Sequence, residues 1–384
     1  VKKAISILLS LCLGLFVVSG AVSVVDDSVQ LLFGRYFLSV FSGILSFFAI
    51  LTALAVYFLM GFSPMIPKRV ILPVAFFYLT GILAIIPVAI YAGENWMRVC
   101  QQLDWVVSFC SVVLGLGILY WFWGGWKFRW PFVEEKHLGD NHFSWRHLSV
   151  FLLINVFVLL PAIGIYMFFC IALAVNHFTA GFLALHPGGL SAQVRQYVRS
   201  DGKMIELVPM AHIADASFYE KISSSFPTNS IILMEGVTDE SNLLTHGISY
   251  KRMAHSMGLA EQRQVFKPQG KIVMADIDVD QFSTNTINAL NVAMLVHTKG
   301  VNADTMAAWA QYSPPPNFLT QLDDDIVRKR NEHLLEELRA ELPESDIIIV
   351  PWGAGHMPGI ASAIQKDGFH LAKTEEYTVI QFHP

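Results

Sequence analysis

Charge is scarce in this sequence, and what there is lies unevenly. Asp, Glu, Lys and Arg make up 15% of the 384 residues, while 54% are hydrophobic, and the mean hydropathy is +0.48. Soluble domains carry charge on roughly a quarter of their residues, so the whole chain is not one soluble globule. Residues 185–384 hold 16 Lys+Arg against 24 Asp+Glu, a net of −8, and residues 1–184 hold 10 against 7, a net of +3. Neither half has the basic density of a nucleic-acid footprint, so nucleic acid is not expected as a partner. Cysteine is scarce too: Cys12, Cys100, Cys110 and Cys170 all lie in the front half. The back half therefore has no disulfide and no thiolate metal site. At roughly 200 residues it is large enough to rest on its own core. No H-E-x-x-H and no G-x-S-x-G occurs. Gly353, Gly355 and Gly359 are spaced one residue too long for a dinucleotide fingerprint, and His356 occupies the turn.

The front half is a series of long apolar runs. Lys2 and Lys3 precede a run from Ala4 to about Val25. A signal peptide cut near Ser19-Gly20-Ala21 would look like this. A retained helix is the stronger expectation, since about 20 apolar residues span a bilayer and more spans follow. These are Tyr36–Phe62, Val70–Ala92, Trp105–Gly124 and Leu148–Phe178. Pro87 and Pro161 fall inside spans, where neighbouring helices re-satisfy the freed carbonyls. Trp105, Trp121, Trp123 and Trp126 are expected to form an interfacial belt at the ends of the fourth span. No span has a charge near its centre, which argues against an ion path. Asn155 and His177 read as helix-packing residues.

His186-Pro187-Gly188-Gly189 reads as a linker, after which composition turns mixed. Strands are expected at Met204–Met210, Ile231–Met234, Lys271–Ala275, Ile347–Val350 and Tyr377–Phe382. Helices are expected over Asp215–Phe226 with Asp215 as N-cap, Tyr250–Gly258, Ser283–Lys299, Ala303–Tyr312, Leu322–Leu342 and Ile360–Gly368. Ser313-Pro314-Pro315-Pro316 reads as a loop. The fold expected is therefore N-terminal all-α transmembrane helices (1–184) followed by an α/β domain with a mixed sheet (185–384).

Two strand exits resemble each other. Val208-Pro209-Met210-Ala211-His212 and Val350-Pro351-Trp352-Gly353-Ala354-Gly355-His356 each run from a buried strand through Pro and small residues to a lone histidine. In an open α/β sheet both would stand on the carboxyl rim, where ligands bind. Glu235 follows the strand Ile231–Met234 and reaches the same rim. Two imidazoles and a carboxylate suit a divalent transition metal, and equally suit acid–base work without metal. Asp276, Asp278 and Asp280 alternate, and would share one face if the strand continued. They lack the other ligands of a calcium loop, so a turn with one functional aspartate is the expectation.

Gly353-Ala354-Gly355-His356-Met357-Pro358-Gly359-Ile360 resembles the C-terminal signature of the TraB/PrgY/TIKI family. Met210-Ala211-His212 resembles that family's first histidine motif, Leu233-Met234-Glu235 its strand-end glutamate, and Arg330-Asn331 its arginine–asparagine pair. Met257-Gly258-Leu259 with Gln262 is similar to its middle region. The likeness covers about residues 200–375. Pro209 is a departure, since the family commonly has glycine there. By resemblance, some relatives are extracellular peptidases that trim short peptides with manganese or cobalt, and others shut down peptide pheromones. The resemblance implies a metallopeptidase-like site with His212, Glu235 and His356 as metal ligands and Arg330 as an anion or carboxylate clamp. Glu235 is left open as ligand or base.

The reading is a membrane-anchored domain that hydrolyses a peptide or small amide with a divalent metal. Its rivals are a domain that binds a peptide or small signal without catalysis and one that only holds partners. Orientation follows from flanking charge. With the N-terminus inside, inner segments carry Lys2, Lys3, Lys68, Arg69, Lys127, Arg129, Lys136 and Arg146, and outer loops carry Arg35 and Arg98. A reporter fused behind Pro384 should be active only if it works outside the cytoplasm; activity of a cytoplasm-restricted reporter there would reverse the orientation.

Overall fold

The computed structural model describes all residues except 36, 94–95, 126–128, 246–249, 301, 313, 316 and 383–384, with no side chain described at 96, 97 and 297. The expected span start at Tyr36, Trp126 of the belt, Lys127 of the inner charges, and Ser313 and Pro316 of the loop lie outside the described residues. The chain forms two compact units, Val1–Leu173 and Ala174–Pro384.

Among the described residues the first unit holds five helices long and apolar enough to cross a membrane: Lys2–Phe33, Ser39–Phe62, Lys68–Tyr91, Arg98–Trp123 and Trp145–Phe178, whose last residues enter the second unit. Their small and medium side chains face inward, among them Leu13, Ala53, Val56 and Val70. Large apolar side chains such as Phe47, Phe157 and Phe169 face outward, as a lipid solvent requires. Of the fifth helix's apolar window only 6% is buried. Asn155 accepts from Tyr57 Oη at 2.8 Å and donates to Phe151 O, a contact between packed helices. The first helix runs past the expected Val25 to Phe33 and ends at Gly34, whose φ of 66° is left-handed, while buried Asp26 accepts the Phe37 and Leu38 amides at the start of the second helix. The fourth helix starts well before Trp105, so that residue sits inside it rather than at its end, with Nε1 donating to Ser28 Oγ.

Among the described residues the second unit has nine strands: β1 Leu183–His186, β2 Gly189–Val198, β3 Met204–Met210, β4 Ile213–Ala214, β5 Ile231–Met234, β6 Ala260–Glu261, β7 Lys271–Met274, β8 Ile347–Gly353 and β9 His370–Gln381. Seven form one mixed sheet in the order β1-β2-β3-β8-β5-β7, with β9 along β2, while β4 pairs with β6. β3, β8, β5 and β7 are mutually parallel, and β1, β2 and β9 are antiparallel additions. The β-branched run of β8 is buried on both faces, as a central parallel strand should be. His186–Gly189 is not a linker. Pro187 and Gly188 form the turn of the β1–β2 hairpin, and Gly188 O accepts from Phe382 N. Asp215 does not cap its helix with its side chain, which accepts the Gln381 amide instead.

Proline inside central strands is normally excluded because it removes a ladder donor. Here β8 pairs with β5 only through Ile348 and Ile349, so Pro351 lies past that ladder. Trp352, fully buried, joins the two strands beyond it by donating from Nε1 to Leu233 O at 3.0 Å. Trp352→Ala should cost about 3–5 kcal/mol, read as a lower urea midpoint for loss of the domain's far-UV signal; an unchanged midpoint would show that this core does not hold the sheet.

Candidate functional site

The parallel strands end on one rim, and three of them deliver a polar side chain there. Glu235 follows β5 and Asp276 follows β7 by two positions, while β8 leads through Gly353 to His356. Gly353 and Gly355 make this turn without a positive φ. The glycine that matters sterically is Gly359, where a Cβ would come within 2.8 Å of Asn331 Nδ2. It lets the helix Met357–Lys366 lie against Asn331.

Arg330 reaches this rim from the helix Lys329–Glu341. The helix is entered through a π turn, Asp324–Arg328, a local widening often found at functional sites. Asp325 in that turn is buried and accepts from Ser283 N at 2.8 Å and Lys329 Nζ at 2.6 Å, which fixes the helix just before Arg330.

The guanidinium is nearly enclosed. Nε donates to Asp276 Oδ1 at 2.9 Å, and Nη2 donates to Asp276 Oδ2 and to Glu235 Oε1, both at 2.7 Å. Nη1 donates to Ile326 O at 3.3 Å and faces His356 Nε2 at 3.2 Å. An arginine has five N–H donors, and each of these five contacts uses one. Trp352 lies under the group, with its ring centroid 5.4 Å from Cζ, in cation–π range. Burial alone would lower the Arg330 pKa, but Asp276 and Glu235 hold it above its ordinary value.

The partners are fixed in turn. Glu235 Oε2 accepts the Gly353 amide at 2.6 Å. Asp276 accepts the amides of Gly236 and Ile277 at 2.9 Å each. Because arginine only donates, His356 Nε2 must be the acceptor, so its proton sits on Nδ1 and goes to Asn331 Oδ1 at 2.8 Å. Burial, and then the Arg330 charge, push the His356 pKa down to about 4.

A cavity of about 590 Å³ opens over Glu235 and Arg330. Its polar wall is completed by His212, Tyr250, Glu261 and Arg263, and its apolar wall includes Phe266, Phe282 and Leu290. His212 is exposed and stacks on Tyr250, with centroids 4.7 Å apart and planes at 6°. Its loop is pinned by Tyr219 Oη on Ala211 O and by the Gln262 amide on His212 O. Buried Glu261 accepts the Tyr250 amide at 2.9 Å. His356 and Asp276 do not line the cavity but stand behind the two residues that do.

The fold thus brings Glu235, Arg330, Asn331 and His356 into one bonded cluster, and sets His212 on the cavity wall beside it. The expected metal ligands do not fit together as arranged. Among the described residues no three His, Cys, Asp or Glu side chains are placed to hold an ion. Glu235 Oε1 and His356 Nε2, 3.9 Å apart, both face Arg330. The clamp expected of Arg330 meets the same obstacle, since each of its donors is already used within the protein. The three aspartates do not share a face either. The strand ends at Met274, Asp276 turns inward, Asp278 caps a 3-10 turn by accepting the Asp280 amide, and Asp280 is exposed. Tyr250 and Glu261 were not among the expected site residues, and Asp276 was expected only as one of three aspartates of which one would be functional. Asp276 carried the same signal as Glu235, a carboxylate just past an apolar strand.

The class this defines is a protein with five potential membrane helices and an α/β domain bearing a buried Arg–carboxylate–His cluster beneath a half-apolar cavity. No family profile, curated protein or solved structure matches the chain.

With a folded pKa near 4 against 6.5 unfolded, His356 contributes stability that is complete above pH 6.5 and falls away as pH drops toward 4. The melting temperature should decline across that window, and His356→Asn should flatten the decline. An identical pH profile in the variant would show that His356 is not held neutral.

Proposed function

We propose that the C-terminal domain is a TraB/TIKI-like hydrolase of peptides or small amides, anchored by the membrane helices and facing outside the cytoplasm. The observation that carries this is the Glu235–Arg330 pair on the wall of a cavity that His212 also lines. Support for the resemblance comes from the meeting of its quoted residues. Glu235, the neighbours Arg330 and Asn331, and His356 come from three separate stretches of sequence and bond to one another in the fold. Support for the orientation remains the bias of flanking positive charge.

In this reading the substrate's apolar part lies against Phe266, Phe282 and Leu290, and its amide bond lies over Glu235. A carboxylate has about four lone-pair directions, and Arg330 and Gly353 take one each. The remaining ones can accept a proton from water as it attacks the carbonyl. His212, exposed on the wall, is the group placed to return a proton to the leaving amine. Arg330 and His356 touch no substrate and position Glu235. No divalent ion enters these steps, because the donor set does not fit one.

A second reading, a binding module for a peptide or small signal, is favoured by the saturation of Arg330 and the apolar share of the cavity. A digest of a short-peptide library by the full chain in detergent separates the two. Hydrolysis should occur, and Glu235→Gln and His212→Ala should each slow it by roughly 100-fold or more with far-UV signal intact. Binding without cleavage selects the module, and full turnover in Glu235→Gln contradicts the assigned base.

A further inference from the structure

A site that resembles a metal centre in its residues, but is built around a guanidinium, raises a specific question about its cation. The three groups that would ligate an ion from the sheet side are Glu235, Asp276 and His356. Glu235 Oε1 and Asp276 Oδ2 rest on one nitrogen, Arg330 Nη2, and His356 Nε2 rests on the other, Nη1. The side chains of Arg330 and Asp276 are 9% and 0% exposed. Two neighbouring buried carboxylates cannot both stay ionised without a positive charge between them, and Arg330 supplies it.

We propose that Arg330 is the resident cation of this site, holding Glu235, Asp276 and His356 so that the site takes no divalent ion. The planar fork explains why an arginine serves here. It meets Asp276 through two parallel bonds while still reaching Glu235 and His356. Nothing is left over for an added cation to neutralise except one carboxylate charge, and both carboxylates already have bonded partners. The inference concerns the cavity of the proposed hydrolase but stands independently of whether anything is cleaved there. Arg330 is on this account a positioning residue.

The test uses the full chain in detergent, stripped with chelator and then offered Co²⁺ or Mn²⁺. The wild type should carry no stoichiometric ion by elemental analysis, and its melt should not move with either metal. Arg330→Ala and Arg330→Gln should melt below the wild type with or without metal, and adding Glu235→Gln, which removes one of the two carboxylate charges, should recover part of that loss. A wild-type protein that binds one ion and loses it on His212→Ala and His356→Ala overturns the proposal, leaving a metal-dependent hydrolase in its place. So do folded Arg330 variants that melt with the wild type. If neither variant accumulates, the wild-type arm decides. A peptide digest with no cleavage would remove the hydrolase reading and leave the resident cation untouched.

Discussion

The C-terminal domain depends on one buried positive charge. Arg330 stands where β5, β7 and β8 end, and the polar groups those strands deliver are held by it. Without it, Glu235 and Asp276 would be two desolvated carboxylates facing the same place with no cation between them. Breaking such a buried pair from one side costs about 3–5 kcal/mol, most of it from the charge left behind. The surroundings are consistent with that demand. Each carboxylate also takes backbone amides, Asn331 fixes the histidine tautomer, and Trp352 closes the underside. The π turn before Arg330 belongs to the same arrangement, because buried Asp325 ties that turn to Ser283 and Lys329.

Charge balance then sets what the cavity can do. Two carboxylates face one guanidinium, and the histidine is kept neutral by burial and by Arg330 itself. One carboxylate charge is in surplus, and of the two carboxylates only Glu235 lines the cavity. The fully occupied arginine holds Glu235 in one orientation. His212 is the contrasting case, an exposed ring free of the cluster and stacked on Tyr250.

Much of this was legible from residue order. The apolar runs gave the five helices closely, because span length is dictated by bilayer thickness. Four β-branched residues in a row at Ile347–Val350 marked the central strand, and a carboxylate or histidine just past a strand marked the rim. The matched Val-Pro exits pointed to His212 and His356 together, yet the fold gives them different places, one on the wall and one behind it. Residue order could not show this, because it depends on where a helix more than a hundred residues from His212 lays its arginine. β2 was missed for a related reason. Its alternating sequence is mildly polar, and it is a strand because β9 and β3 flank it. The hairpin at Pro187-Gly188 read as a linker because turn residues look alike in both settings.

The central claim is that a guanidinium, not an ion, sits among Glu235, Asp276 and His356. Anomalous diffraction at the manganese edge, from crystals of the full chain grown with Mn²⁺, tests it most directly. The account predicts no anomalous peak at the site, with Arg330 bonded to both carboxylates. A peak coordinated by His212, Glu235 and His356, with Arg330 turned away, would contradict it.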